Sequence, residues 1–397
     1  MTPAPSRADR DRSLQRAVRE RLVRSTDVEA LADAPPGHLE RTLHDLLLDA
    51  DPLLPHRDRR RLVTRLTHDV AGLGPLEPLL TDATVTEVMV NGGGTCFVER
   101  SGRLERVPLV LEDAQVRHVV ERVIAPLGLR FDRAAPIVDA RLADGSRLHA
   151  VMPPLAVDGV CLTIRRFTLA DATLPDFDAD GEAADLLCWA VAAGWNLLVS
   201  GGTSTGKSTL LQALATGIDA GERIVTIEET AELALALPHV VRLEARPPNA
   251  EGAGAVSVRD LVRAALRMRP DRIIVGETRG GEALDLLQAL NTGHDGAIST
   301  VHASSPDGAI QRLLTLAQFA GSGVPHEALC GQVGGALDAV IQVERAADGG
   351  RRVVSMSELG PAGGIPRLRL LVDRSGGTLR QVDRPQRAAR RSIGSRC

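Results

Sequence analysis

This chain of 397 residues has no tyrosine, and aromatic residues make up only 2% of it. Its core must therefore be built from Leu, Val, Ile and Ala. Lysine is almost missing too. Of 47 basic residues all but one are arginine, the exception being Lys207. Arg, Ala and Gly richness of this kind reflects a GC-rich coding sequence, which makes the surviving lysine the anomaly. Five cysteines (Cys96, Cys161, Cys188, Cys330, Cys397) form no CxxC and no His pairing at zinc spacing, so they read as reduced, mostly buried thiols of a cytosolic protein. The N-terminus lacks the apolar stretch of a signal peptide. The most apolar run, "DLLCWAVAAGWNLLVSG", is interrupted by Gly194 and Asn196 and is too short to span a bilayer. Any membrane role must come through a partner. The formal net charge of −4 gives no reason to expect nucleic acid.

What is present is 44% hydrophobic and 25% charged residues, the composition of a globular chain of two or three domains. Residues 1–35 are polar and charged and read as disordered or loosely helical. Residues 36–74 carry apolar positions at helical spacing (Leu39, Leu43, Leu46, Leu47; Leu62, Val63, Leu66, Val70), which predicts two helices. From 75 to 170 the period shortens: "VTEVMVNGGGTCFVERSGRLERVPL" and "IVDARLADGSRLHAVMPPLAVDGVCLTIRRF" alternate around Gly-rich turns, with a helix between them. This is an α+β domain. A linker over 171–181 leads to 182–360, where apolar strands alternate with helices and indicate an α/β domain with a parallel central sheet. The tail, 361–397, is Arg-rich and reads as a solvated end or as an electrostatic contact with anionic lipid or an acidic partner. Within it "IPRLRLLVDRSGGTLRQV" suggests a β-hairpin.

The lone lysine lies in "GGTSTGKS", which matches G-x-x-x-x-G-K-[ST]. "WNLLVS" before it reads as a strand and "KSTLLQALATG" after it as a helix, the context that the pattern requires. The loop residues Gly201, Gly202, Thr203, Ser204, Thr205, Gly206, Lys207, Ser208 and Thr209 then form a nucleotide-binding candidate. Glycines let backbone N–H groups wrap phosphates, and the helix N-terminus adds its dipole. The Ser208 hydroxyl suits Mg²⁺. Lys207 places a compact ammonium among the phosphates, where a planar guanidinium is too wide.

Acids stand at the ends of two strands near the loop. "RIIVGE" ends in Glu277, and "RIVTIEETAEL" carries Glu228, Glu229 and Glu232. Carboxylates at strand carboxyl ends face the crevice in which open α/β sheets bind ligands, and suit a metal-and-water site. Glu277 is placed to polarise an attacking water or to hold Mg²⁺ through water. His294 and His302 flank the apolar run "AISTV", as a γ-phosphate sensor or as a means of ordering the next loop.

Over residues of about 70–345 the chain resembles the secretion ATPases of type II and type IV systems. It is most similar to the Tad/Flp pilus ATPases (CpaF-like), relatives of the VirB11 ATPases. "GLGPLEPLLTDATVTEVMVNG", "GGTSTGKSTLL", "TIEETAEL" and "LVRAALRMRPDRIIVGETRGGEALDLLQALNTGHDGAISTVHA" carry the likeness, in the family's order. The resemblance implies a RecA-like ATPase domain, a PAS-like N-terminal domain, ATP and Mg²⁺ as ligands, and a homohexamer. It makes Gly201–Thr209 the Walker A loop, Glu228, Glu229 and Glu232 the acidic box, Glu277 the catalytic glutamate, and His294 and His302 the His box. Arg141, Arg147, Arg165 and Arg166 match the N-terminal arginines that reach ATP in the family. Arg263 and Arg279 are candidates for interface or switch roles. Three positions depart from the pattern: Ser204 and Thr205 stand where relatives have Gly then Ser or Ala, and Glu229 where they have Asp.

The function that the resemblance implies is a motor. It would power pilus assembly or secretion through an integral inner-membrane platform from the cytoplasmic side. The alternatives are a VirB11-like conjugation or effector-export ATPase, and a nucleotide-dependent regulatory protein of low turnover. A small-molecule kinase is disfavoured, because no lid-like Arg-rich segment or acceptor motif follows the loop.

Overall fold

The computed structural model describes residues 7–25, 37–100, 103–166, 172–248, 251–321, 323–346, 349–360, 366–374 and 377–391. They fall into two compact units, 1–166 and 167–397. Residues 26–36, including the first three of "APPG", and the linker's first residue, 171, lie outside the described residues, as does Cys397.

The first unit opens with three helices: α1 (Arg7–Ser25), α2 (His38–Ala50) and α3 (His56–Ala71). The N-terminal segment was expected to be disordered or loosely helical, and its residues 7–25 form a helix of 19 residues. Leu14, Val18 and Leu22 recur every four positions and bury against Leu43, Leu47, Leu62 and Leu66. After a short helix α4 (Glu77–Leu80) come six strands: β1 (Val85–Val90), β2 (Thr95–Arg100), β3 (Arg103–Val110), β4 (Ile137–Arg141), β5 (Arg147–Val151) and β6 (Cys161–Arg165). They form an antiparallel sheet in the order β3-β2-β1-β6-β5-β4. The turn after β1 depends on Gly94, at φ +77°, where a Cβ would fall 1.6 Å from the Leu111 carbonyl oxygen. Helix α5 (Asp113–Ile124) packs Val116, Val119, Val120 and Ile124 into the same core as Val88, Leu148, Leu162 and Ile164.

The second unit is a three-layer α/β body. Its strands are β7 (Leu197–Gly201), β8 (Ile224–Glu228), β9 (Val240–Glu244), β10 (Arg272–Val275), β11 (Ile298–His302), β12 (Ala339–Arg345), β13 (Arg351–Leu359), β14 (Leu368–Asp373) and β15 (Arg380–Gln381). The sheet order is β15-β14-β13-β12-β7-β11-β10-β8-β9. From β12 to β9 every pairing is parallel. β7, β8 and β10 are buried along their whole length, as expected of strands covered on both faces. Helices α6 (Gly181–Ala192) and α7 (Lys207–Ala215) cover one face. Helices α8 (Val258–Ala265), α9 (Glu282–Asn291), α10 (Pro306–Gln318) and α11 (His326–Ala336) cover the other.

The Arg-rich tail is part of this unit. The hairpin expected in it exists, since β14 and β15 pair antiparallel and extend the main sheet. Arg367, Arg380 and Arg384 are exposed, but the described arginines nearest its end are not free in solvent. Arg387 and Arg390 both donate to the buried Asp338 carboxylate, at 2.7 and 2.6 Å, and Arg390 also reaches Asp295 at 2.7 Å. Arg391 pairs with Glu222, which also holds the buried Arg272. Trp195, fully buried, donates its indole N–H to the Ala388 carbonyl at 3.1 Å.

Candidate active site

Strand β7 lies between β11 and β12, among the parallel strands, and its last residue opens the phosphate loop. Gly201 admits no side chain: a Cβ there would sit 2.6 Å from Thr205 Oγ1 and 2.6 Å from the Val343 carbonyl oxygen. Gly206 takes φ +91°, a left-handed backbone open to glycine. Ser204 adopts φ +58° without glycine's freedom, so this position carries backbone strain. Thr205 Oγ1 donates to the Gly202 carbonyl at 3.0 Å and ties the loop together.

Helix α7 starts at Lys207, so the N–H groups of Lys207, Ser208 and Thr209 belong to a first turn that lacks intrahelical acceptors. Lys207 Nζ donates to the carbonyls of Gly201 at 3.2 Å and Gly202 at 2.9 Å. Burial lowers the pKa of this ammonium, with the Glu277 carboxylate opposing that effect and Arg279 adding to it. A desolvated cation among unpaired amide donors is a receptor for phosphate oxygens.

Glu277 follows β10, and the backbone on both sides of it is fixed by Thr300. The Thr300 hydroxyl donates to the Gly276 carbonyl at 2.7 Å, and the Thr278 amide donates to the Thr300 carbonyl at 2.8 Å. The Glu277 carboxylate accepts a hydrogen bond from Arg279 Nη2 at 2.6 Å. The other terminal nitrogen of Arg279 donates to Glu229 at 2.7 Å, so one guanidinium joins the two acidic boxes.

Glu228 is different. It is 5% exposed and accepts the amides of Glu232 and Leu233, each at 2.9 Å. Burial pushes its pKa up to about 7, against the pull of those two amides. The carboxyl folds the 229–233 segment and lies close under β10's exit: a Cβ at Gly276 would come 2.7 Å from Glu228 Cγ. Glu232 is half-buried and enters this arrangement through its backbone.

The two histidines separate. His302 ends β11 in register with Gly201 and is exposed at the loop edge. His294 precedes β11 and holds its Nδ1 3.2 Å from the Ala289 carbonyl at the end of α9. The length of the strand, roughly 3.3 Å per residue, lies between them. Arg263 shares Asp285 with Arg259, at 2.7 and 2.5 Å, in a contact between α8 and α9.

In the first unit Arg141, Arg147 and Arg165 stand in register across β4, β5 and β6, with Glu87 of β1 continuing the row. Arg147 also reaches Asp139 at 3.3 Å. Arg166 is committed locally, donating to the carbonyls of Asp82 and Val85, the latter at 2.9 Å.

Sequence reasoning missed Arg351. It opens β13, opposite Arg345 of β12, and donates from Nη1 to Thr209 Oγ1 at 3.1 Å. A Cβ at Gly206 would meet its Cδ at 2.6 Å and Phe177 Cε1 at 3.3 Å. No local signal marks this residue, because 142 positions separate it from Thr209.

The sequence profile of the family described as type II/IV secretion system protein matches residues 69–353. A putative conjugal transfer protein of Mycobacterium tuberculosis is 42% identical over 310 residues, covering 75% of this chain and 88% of the relative. The type IV secretion system protein PtlH of Bordetella pertussis is 38% identical over 318 residues, 72% of this chain and 93% of its own. The pilus retraction motor PilT, solved with ADP, shares the fold at TM-score 0.54 and 20% identity, over 72% of this chain and 82% of that one.

Proposed function

The chain belongs to the type II/IV secretion system protein family, and from that premise we propose that it is an ATP-hydrolysing motor. The observation that carries this reading is the half-buried Lys207 ammonium inside the loop, at the Gly201 and Gly202 carbonyls, with the Glu277 carboxylate after β10, two strands along the sheet, acting on its charge. The loop amides and Lys207 bind the phosphates. Glu277 orients the attacking water and takes its proton once Arg279 lets go. Ser208, and Glu277 through water, would hold Mg²⁺, which neutralises phosphate charge when bound. Among the described residues no cluster of three or more His, Cys, Asp or Glu side chains forms a cage, which suits an ion ligated mainly by phosphate and water.

The arginine row of the first unit is the natural source of added charge for the transition state, with Arg147 and Arg165 the leading donors and Arg141 behind them. Arg166, spent on backbone carbonyls, is the weakest of the four. The antiparallel sheet with α5 on one face supports a PAS-like reading of that unit, and the parallel sheet a RecA-like reading of the second. ATP-driven closing and opening of the two units in a homohexamer would move an integral inner-membrane platform from the cytoplasmic side. No helix among the described residues is long and apolar enough to cross a membrane. Tad/Flp pilus assembly is one cargo. The names of the conjugal transfer and type IV secretion relatives favour the second, a conjugation or export channel.

The test is phosphate release by the purified full chain with ATP and Mg²⁺, beside Lys207→Arg. The variant keeps the charge and changes its shape, and should lose turnover by at least about a hundredfold. Turnover within threefold of the parent would make the lone lysine an accident of composition. Absence of turnover in the parent would favour a regulatory nucleotide-binding protein.

A further inference from the structure

We infer that Gln212 is a positioning residue, which ties the helix of the phosphate loop to the acidic segment after β8. This rests on the reading of the loop as a nucleotide site. Between β8 and β9 the chain runs through residues 230–238, and this strap makes no backbone–backbone hydrogen bond among the described residues. Ala231 and Leu233 are buried all the same, and buried amides need acceptors. Four successive amides of the strap find theirs in side chains. Ala231 donates to Glu244 at 3.1 Å, Glu232 and Leu233 each donate to Glu228 at 2.9 Å, and Ala234 donates to Gln212 Oε1 at 3.0 Å. Glu228 and Glu244 pair in register at the ends of β8 and β9, so those two anchors belong to the sheet. The third, Gln212, belongs to α7, the helix that Lys207 opens. Packing follows the same line, since Leu233 is fully buried in the core that also holds Leu210 and Leu214 of α7.

The strap matters because of what stands at its start. Glu229 precedes it and shares Arg279 with Glu277. At the other end of the link, Ser208, the candidate Mg²⁺ ligand, lies one turn from Gln212 on the same face of α7. A shift of α7 as its first turn closes on phosphate is therefore passed by the Gln212 side chain to the Ala234 amide, and along the strap to Glu229. Pairing within the sheet would fix the strap whatever the loop did. An acceptor on α7 makes it answer to the loop. Gln212 thus acts through Glu229 and Arg279, by setting where the second carboxylate stands when Arg279 leaves Glu277.

Hydrogen exchange read by mass spectrometry on the full-length chain, with and without saturating ADP, follows the strap amides directly. In the parent, ADP should slow exchange over the strap by at least about fivefold. Gln212→Leu keeps the bulk and removes the acceptor. It should lose that protection while binding ADP within about threefold of the parent, and Gln212→Glu, which still offers an oxygen, should retain it. Turnover reads the same contact: kcat should fall by about fivefold in Gln212→Leu, with KM for ATP within about twofold, and recover in Gln212→Glu. Equal protection in the parent and Gln212→Leu would overturn the inference, as would a strap that ADP leaves untouched in a parent that binds it. So would an unchanged kcat in Gln212→Leu. Faster exchange throughout the second unit of that variant, with or without ADP, would also overturn it, because it marks a role in stability alone. A parent chain that binds no ADP would instead overturn the reading of the loop itself.

Discussion

Arg279 donates to the Glu277 carboxylate at 2.6 Å, so the candidate proton acceptor is held by a cation two residues along its own chain. The same guanidinium holds Glu229 at 2.7 Å. In this arrangement Glu277 cannot serve a water molecule with the oxygen that Arg279 occupies. If Glu277 is the proton acceptor proposed above, the arginine has to leave that oxygen before hydrolysis, and Glu229 is the second carboxylate that can keep it.

This gives a signed prediction for Arg279→Gln. The pair is partly exposed, with side chains 56% and 26% accessible, so its strength is that of a surface ion pair, about 1 kcal/mol. Removing it should raise basal ATP turnover by up to about fivefold without changing ADP affinity. A drop of tenfold or more would make Arg279 part of the hydrolytic machinery rather than a latch on it.

Glu228 predicts a pH dependence of stability. Its folded pKa, about 7, lies above the 4.5 of an ordinary glutamate because the carboxyl is buried. The folded chain therefore binds a proton that the unfolded chain has lost between about pH 4.5 and 7. Its contribution favours folding at low pH, fades as pH rises through that window and is gone above pH 7. Glu228→Gln keeps an acceptor for the two amides and removes the titration. Both tryptophans, Trp189 and Trp195, sit in the second unit with rings 5.1 Å apart, so their fluorescence follows the unfolding of that unit. Urea midpoints should fall more from pH 5 to pH 8 in the parent than in the variant. Equal falls would mean that the carboxyl is already ionised in the fold.

The loop and its acids were legible in the sequence because each is a local pattern with a strand before it. Gly201, Gly206 and Lys207 are fixed by the geometry of one turn, and Glu277 by the end of one apolar strand. The β14–β15 hairpin was legible for the same reason. Arg351 was not, since it reaches Thr209 only because β13 folds back beside β12, and nothing within its own stretch, "GGRRVVS", records that. The tail misled in the opposite direction. Arg387, Arg390 and Arg391 look like a solvated basic end until Asp338, Asp295 and Glu222, scattered along the chain, are brought beneath them. Helix α1 was only half legible because its sequence is so charged: its 19 residues include seven arginines, and the stripe of Leu14, Val18 and Leu22 is completed only by α2 and α3. His294 and His302 show the limit of spacing as a guide, because a strand between two residues carries them to opposite ends of that strand.

The central claim is that Glu277 takes the proton from water attacking an ATP held by Lys207, and its most direct measurement is a comparison of binding with turnover in Glu277→Gln. The account predicts ATP affinity within about threefold of the parent and phosphate release reduced by at least about a thousandfold, so that bound ATP persists uncleaved. Turnover near the parent rate in a variant that binds ATP normally would contradict it.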